Sequence, residues 1–223
     1  MLKIGHRGAK GHVAENTLAS FEKALSLNVD AIELDVHLSS DNEIMVIHDA
    51  TIDRTTTKNG FAKEFSSIAL KELNIPTLED VFHLINHRCI INIEIKDANA
   101  TKKVIQLIEK FINEHDWKYN QFHISSFDWV VLEEVSHYCH SDKGGISIGV
   151  LTEDSIETAL AFAKKINAHS INPYFKILNQ EKANLIRANG FKIYTWTVNS
   201  AEDIIFVKSL QVDGIISDFP DRI

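Results

Sequence analysis

Cysteine is scarce in this chain, and long hydrophobic runs are lacking. The two isolated cysteines, Cys89 and Cys139, form neither a zinc motif nor a disulfide framework, so a reducing interior is the simplest location. No charged segment with a following apolar core precedes the first apparent strand, and no apolar run approaches the length of a membrane span. We therefore expect a cytoplasmic protein without a signal peptide or stable membrane insertion.

Positive charge is also in short supply, because 23 lysines and arginines face 31 aspartates and glutamates. No basic stripe is available to neutralise phosphates, which argues against a nucleic-acid partner. The acidic surplus is compatible with cation binding, although most of it is expected on the solvated surface. A length of 223 residues with 44% hydrophobic content favours one globular domain, and the sequence leaves open whether it is a monomer or a homodimer.

Short apolar, β-branched segments alternate with amphipathic segments along the chain. The predicted strands are Leu2–His6, Ala31–His37, Ile90–Lys96, Gln121–Ser125, Gly145–Leu151, His169–Asn172, Phe191–Val198 and Asp213–Ser217. The predicted helices are Thr17–Leu27, Ala100–Glu114, Trp129–Tyr138, Ser155–Lys165, Gln180–Ala188 and Ala201–Leu210. This alternation predicts an α/β fold of the TIM (β/α)8 barrel type. An open doubly wound sheet is the alternative, but no Gly-rich phosphate loop of its usual type follows the first strand.

One segment, Ala50–Asn74, breaks this alternation. It is rich in threonine and lysine and follows a predicted hairpin, Val36–Ile47, that turns at Ser40-Asp41-Asn42. We interpret the segment as a small insertion over one mouth of the barrel. The prediction is therefore a single domain over residues 1–223, with an insertion at about 50–74 after the second strand.

Three carboxylates lie near the ends of predicted strands, where the catalytic groups of a TIM barrel are found. Glu33 and Asp35 share one face of the second strand, and Glu94 lies near the end of the third. Carboxylates that converge inside a barrel repel one another and are costly to desolvate, and a hard cation such as Mg²⁺ or Ca²⁺ removes both problems. The alternative is a salt-bridge network with Arg7 and Lys96.

Two histidines, His6 and His48, directly end strand-like segments near these carboxylates. Histidine titrates close to physiological pH and suits general acid–base catalysis. A lone histidine is usually structural or exposed, but here two histidines, three carboxylates and two cations fall on one predicted rim. His12 and His37 lie nearer to this rim than other histidines and are candidates for supporting positions.

Positive charge at the same rim comes from Arg7 and Lys96. Together with a divalent ion, a planar guanidinium and an ammonium group can hold a phosphate and stabilise charge on its oxygens. Trp196 and Phe127 can form an apolar wall for a small organic group, although an aromatic side chain is more often part of the core.

The motifs of this chain resemble those of the glycerophosphodiester phosphodiesterases of the bacterial, cytosolic type. The matching elements are Gly5-His6-Arg7-Gly8, Glu15-Asn16-Thr17, Phe21, Asp30–Val36, His48-Asp49, Arg54-Thr55-Thr56, Ile75–Glu79, Asn92–Lys96, Trp196–Asn199 and Asp213–Asp218. Each is short, but they occur in the family's order and cover nearly the whole chain. One departure is Ala14, because the family usually has proline before Glu-Asn-Thr.

This resemblance implies a TIM barrel that hydrolyses a glycerophosphodiester to sn-glycerol 3-phosphate and an alcohol in a metal-dependent reaction. The residues that it assigns are the catalytic pair His6 and His48, the Mg²⁺ or Ca²⁺ ligands Glu33, Asp35 and Glu94, the phosphate contacts Arg7 and Lys96, and Trp196 beside the glycerol.

Two questions stay open at the level of sequence. The nucleophile is either water or the glycerol 2-hydroxyl, which would form a cyclic phosphate that water then opens. An alternative function is that of a phospholipase D-like enzyme of the same fold, acting on lysolipids or sphingolipids through an apolar entrance. A non-catalytic barrel is disfavoured, because it predicts gaps in the catalytic set and none is seen.

Overall fold

The computed structural model describes residues 1–138 and 145–223, so Cys139 lies outside the described residues. The strands are β1 (Leu2–His6), β2 (Ala31–Leu38), β3 (Ile44–Val46), β4 (Ile90–Ile95), β5 (Phe122–Ser126), β6 (Ser147–Thr152), β7 (Ser170–Pro173), β8 (Lys192–Thr195) and β9 (Gly214–Ser217). β1 pairs in parallel with both β2 and β9, which closes eight parallel strands into a barrel. The predicted TIM barrel is confirmed, and the open sheet is excluded.

Helices cover the outside of the barrel. They are α1 (Leu18–Ser26), α2 (Ser67–Lys71), α3 (Leu78–Ile85), α4 (Thr101–Glu114), α5 (Trp129–Tyr138), α6 (Ile156–Lys165), α7 (Gln180–Ala188) and α8 (Ala201–Ser209). All six predicted helices are present, whereas α2 and α3 were not predicted. A capping box starts α3, in which the side chains of Thr77 and Asp80 each accept a hydrogen bond from the other's backbone N–H. The Thr77–Asp80 spacing is the sequence pattern that indicates this helix, which the prediction lacks.

The predicted hairpin is present, because β3 pairs antiparallel with β2. Val36 lies opposite Val46 at one end of this pairing, and Leu38 lies opposite Ile44 at the other. The chain that follows packs over the hairpin through a small apolar cluster of its own. That cluster consists of Met45, Ile47, Ile52, Ala62, Leu70 and Ile75. We propose that the chain is one barrel domain that carries this segment, at about residues 50–74, as an insertion.

The main core lies between the barrel and its helices. Around α3 it consists of a cluster of packed aromatic side chains. Phe82 is fully buried, and its ring centroid lies 5.0 Å from that of Phe111 and 5.1 Å from that of Phe122. Trp117 completes a triangle with these rings, because it stacks on Phe122 at 5.0 Å and lies 5.8 Å from Phe82. Among the helices described, none is long and apolar enough to cross a membrane.

Removal of the Phe82 ring tests the importance of the unpredicted helix α3. Phe82→Ala should lower the free energy of unfolding by about 3–5 kcal/mol, because it removes buried apolar surface and leaves a cavity among rigid aromatic neighbours. Phe206→Ala on α8 is the matched control, since Phe206 is 41% exposed, and it should cost about 1 kcal/mol or less. Urea denaturation measures both values, and equal losses would contradict this account of the core.

Candidate active site

Two neighbouring strands bring three buried carboxylates together at the carboxyl end of the barrel. In the parallel pairing of β2 with β4, Asp35 lies opposite Glu94, and Glu33 lies opposite Asn92. Glu33 and Asp35 are two positions apart, so both side chains project from the same face of β2. One carboxylate oxygen from each of Glu33, Asp35 and Glu94 lies within 4.8 Å of the other two. The three predicted metal ligands are therefore adjacent.

Burial and mutual repulsion dominate the electrostatics of this cluster. Desolvation, and then the charge of Asp35, raise the pKa of Glu33 well above its ordinary value and that of Glu94 to about 7. Two cations offset part of this effect. The Arg7 backbone N–H donates to Glu33 Oε2 at 2.9 Å, and Lys96 Nζ donates to Glu94 Oε1 at 2.7 Å. When all three carboxylates are ionised, they outnumber these two cations, so negative charge is then in excess.

The donor set fits a divalent ion. Asn16 Nδ2 donates to Asp35 Oδ2 at 2.9 Å, but Asp35 Oδ1 is buried and accepts no hydrogen bond from the described residues. Lys96 Nζ lies 3.7 Å from that oxygen, beyond hydrogen-bond distance. A buried carboxylate oxygen without a donor beside two further carboxylates is suited to a cation, and all-oxygen ligation suits Mg²⁺ or Ca²⁺ better than zinc.

Each of the two predicted catalytic histidines is held by a carboxylate. His6 Nδ1 lies 2.6 Å from Asp218 Oδ1, and His48 Nδ1 lies 2.6 Å from Asp49 Oδ1. Burial is the main cause that lowers the pKa of both imidazoles, even though the partner carboxylates raise it. Both histidines are therefore mainly neutral at pH 7, with Nδ1–H donating to the carboxylate and Nε2 left to accept a proton.

The Nε2 atoms of the two histidines reach different parts of the carboxylate cluster. His6 Nε2 lies 3.9 Å from Glu33 Oε2. His48 Nε2 lies 3.1 Å from Lys96 Nζ, which itself binds Glu94. Burial alone would lower the pKa of Lys96, but Glu94 and Asp35 raise it above its ordinary value. Lys96 is therefore a permanent cation between the second histidine and the cluster.

The loop after β1 aims Arg7 at the carboxylates through an unusual backbone. Arg7 has a φ of 49° and Gly8 a φ of 87°, both in the left-handed region. A Cβ on Gly8 would collide with Ser20. Ser20 Oγ donates to the Arg7 carbonyl and accepts from the Ala9 N–H, both at 2.9 Å. The start of α1 therefore fixes the loop, and Arg7 Nε lies 3.3 Å from Asp35 Oδ2.

Aromatic side chains form the opposite wall. Phe127 and Trp196 meet edge to face, with ring centroids 5.3 Å apart, and Trp196 Nε1 donates to the Asn172 carbonyl at 2.8 Å. Lys96 Nζ lies 5.9 Å from the Phe127 ring centroid. These two aromatic residues, His6, Arg7, Glu33, His48, Glu94 and Lys96 line one pocket of about 100 Å³, which we call the catalytic pocket.

Several supporting residues were not assigned from sequence. Asp218 holds His6 and Asp49 holds His48. Glu15 and Arg54 join Asp49 to Arg7. Arg54 donates to Asp49 at 2.6 Å and to both oxygens of Glu15, at 2.7 and 2.9 Å, and Arg7 also donates to Glu15 at 2.7 Å. Only their positions in the sequence could have indicated these roles. Asp49 follows His48 directly, and Asp218 follows the last strand.

The two histidines predicted as supporting candidates lie in different places. His37 Nε2 is 3.1 Å from the His48 carbonyl oxygen, so this side chain supports the catalytic pocket from behind. His12 Nε2 is 2.6 Å from Asp221 Oδ1 near the end of the chain. Among the described residues, His12 forms no hydrogen bond or ion pair with the three clustered carboxylates.

Comparison with known proteins identifies the family of this barrel. The model of the glycerophosphoryl diester phosphodiesterase family matches residues 6–222. A glycerophosphodiester phosphodiesterase from Caldanaerobacter subterraneus subsp. tengcongensis is 35% identical, over 100% of this chain and 96% of that protein.

Two solved structures show the same architecture. The crystal structure of glycerophosphodiester phosphodiesterase from Thermotoga maritima superposes with a TM-score of 0.85 at 30% identity, covering 99% of this chain and 96% of that one. An Oleispira antarctica phosphodiesterase in complex with the product sn-glycerol-3-phosphate gives a TM-score of 0.87 at 22% identity, covering 98% and 93%. The second likeness supports the fold alone.

The burial of Glu94, and then the repulsion by Asp35, predict a pH-dependent stability when EDTA keeps metals away. The pKa of Glu94 is raised to about 7 from an ordinary 4.5, so the folded state binds this proton more tightly than the unfolded state. The free energy of unfolding therefore falls as pH rises through this window, by up to about 3 kcal/mol, and the loss is complete above pH 7. Glu94→Gln should remove this loss and be the more stable protein at pH 8.

The measurement is urea denaturation of both proteins in EDTA at pH 5 and pH 8. Glu109→Gln, an exposed position on α4, is the matched control and should follow the parent protein at both pH values. An identical pH dependence of parent and Glu94→Gln would show that burial and Asp35 do not raise the pKa of Glu94.

Proposed function

The chain belongs to the glycerophosphoryl diester phosphodiesterase family, and we propose that its catalytic pocket hydrolyses glycerophosphodiesters to sn-glycerol 3-phosphate and an alcohol. It is accordingly a phosphoric diester hydrolase. The observation that carries the proposal is the cluster of Glu33, Asp35 and Glu94, flanked by two carboxylate-held histidines within one pocket. The named activity of the Caldanaerobacter relative, at 35% identity over the full chain, agrees with it.

The metal in this proposal is Mg²⁺ or Ca²⁺, held by Glu33, Asp35 and Glu94. When bound, such an ion polarises the phosphate oxygens and neutralises the excess negative charge of the site. Asp35 is suited to the central role, because both neighbouring carboxylates and both cations lie around it and one of its oxygens accepts no hydrogen bond from the described residues.

The cationic side chains bind the phosphate in this arrangement. Arg7 is already held by Glu15 and directed at Asp35, so its guanidinium needs little reorganisation to meet a phosphate oxygen. Lys96 lies between Glu94 and His48 and contributes a point charge on the other side. The glycerol then rests against Trp196 and Phe127, whose edge-to-face contact gives a fixed apolar wall.

The two histidines act as the acid–base pair. One neutral imidazole takes the proton of the nucleophile through Nε2, while its carboxylate stabilises the imidazolium that forms. The other imidazole acts from its protonated form, which is the minor form at pH 7 because burial lowers its pKa, and donates its proton to the alcohol oxygen as the phosphorus–oxygen bond breaks. The nucleophile is water, or the glycerol 2-hydroxyl followed by water. The second route uses the pair of histidines twice, because they exchange roles when water opens the cyclic phosphate and the 2-oxygen takes back its proton.

Product analysis on a substrate panel tests the proposed function. We expect glycerophosphocholine, glycerophosphoethanolamine and glycerophosphoinositol to release sn-glycerol 3-phosphate, and EDTA to remove that activity. Mg²⁺ or Ca²⁺ added after EDTA should restore it, and whichever ion restores it at lower concentration is the better ligand. Lysophosphatidylcholine and sphingomyelin belong in the same panel, because their exclusive hydrolysis would establish the phospholipase D-like alternative instead.

Replacement of either histidine tests the acid–base assignment. His6→Ala and His48→Ala should each lower kcat by about 10²- to 10⁴-fold, because each removes one proton-transfer group. Asp218→Asn and Asp49→Asn should shift the pH–rate profile as well as lower kcat, since they weaken the hold on the imidazole. His115→Ala is the matched control, because His115 is exposed at the far end of α4. Near-parental turnover in either catalytic variant would contradict the assignment.

A further inference from the structure

A groove of about 890 Å³ lies beside the catalytic pocket. One wall comes from residues 10–19, the other from residues of the insertion and the start of α3, and Val46 to His48 form part of its floor. The volume is within the range of small-molecule sites, roughly 300–1,000 Å³, whereas the catalytic pocket holds only about 100 Å³. His48 lines both cavities, so they meet at a proposed catalytic residue.

The charged side chains around the groove are largely paired with one another. Arg54 binds Glu15 and Asp49, and the Lys71 ammonium lies 2.8 Å from Asp80. These pairs leave little net charge for an ionic ligand. A charged occupant would have to compete with them, whereas a neutral occupant leaves them intact.

The rest of the lining is mainly apolar and partly open to solvent. Its apolar residues include Val13, Ala14, Leu18, Ala19, Leu73 and Ile75. Leu18 is 39% exposed, and Ala14 and Ala19 are also exposed. Covering such surface with an apolar group is favourable, because it removes apolar area from water.

We infer that this groove binds the alcohol half of the substrate, and that this half carries a neutral alkyl or acyl group. The inference rests on the proposed function, since it requires the glycerol phosphate to occupy the catalytic pocket against Trp196. That pocket has no room for a large second substituent. With the phosphate between the two histidines, the other ester passes His48 and enters the groove.

A series of sn-glycero-3-phospho-n-alkanols tests this inference. The ethyl, butyl and octyl diesters are compared below their critical micelle concentrations, and kcat/KM should rise by up to roughly fourfold per added methylene until the groove is filled. A matched substrate places the same eight-carbon chain on the glycerol half, as octanoyl lysophosphatidylcholine. It should show no such gain over glycerophosphocholine.

Variants of the groove wall complete the test. Ala19→Trp fills the groove and should lower the octyl-to-ethyl ratio of kcat/KM towards one. Leu18→Ser removes an apolar contact without a change in the buried core, and it should lower the same ratio. Ala161→Trp is the control, because it makes the same change at an exposed alanine of α6, away from the groove, and it should keep the parental ratio.

The outcomes separate the groove from the chemistry. Equal kcat/KM for the three diesters, a preference for the acylated glycerol half, or a parental ratio in both groove variants overturns the inference while hydrolysis itself persists. If no diester is hydrolysed at all, the proposed function fails, and the groove assignment fails with it.

Discussion

Repulsion among three buried carboxylates is the constraint on which the rest of the site depends. Glu33 and Asp35 on β2 and Glu94 on β4 cannot move apart, because hydrogen-bonded strands are held at about 4.8 Å. The barrel therefore carries a local cost in stability at its catalytic end. That cost explains why Arg7 and Lys96 lie directly against the cluster, and it favours the divalent ion that we propose for this site.

The cations do more than neutralise charge, because they connect the carboxylates to both histidines. Lys96 lies between Glu94 and His48. Arg7 binds Glu15, which binds Arg54, which in turn binds Asp49 beside His48. The second histidine is thus placed by a chain of ionic contacts that begins in the loop after β1 and passes through the insertion. A displacement of the insertion would move Arg54 and Asp49, and hence the His48 ring, without moving the three carboxylates.

Much of this arrangement follows from local sequence rules, and the exceptions have a common cause. The two-residue period of a strand puts Glu33 and Asp35 on one face, and the barrel rule places them, with His6 and Glu94, at the catalytic end. The contact of His6 with Asp218 spans 212 residues, so it depends on barrel closure and not on any spacing. The Arg54–Glu15 contact likewise depends on how the insertion folds back. The prediction lacks helix α3 for a different reason. Its Thr77–Asp80 capping box comes just after Ala50–Asn74, the segment that interrupts the strand–helix alternation.

The insertion contributes residues both to the catalytic network and to the proposed substrate groove. Its packing is separate from the main core. Arg54 reaches the catalytic network, whereas Leu73 and Ile75 line the groove. The segment rests on its own apolar cluster, which is distinct from the core that surrounds the barrel. Groove residues of this segment, such as Leu73, can therefore change without disturbing the strands that hold the carboxylates. In this fold the chemistry is fixed by strand register. Under the groove proposal, the choice of alcohol depends on residues 10–19 together with the insertion, which is attached to the catalytic end by a few ionic contacts.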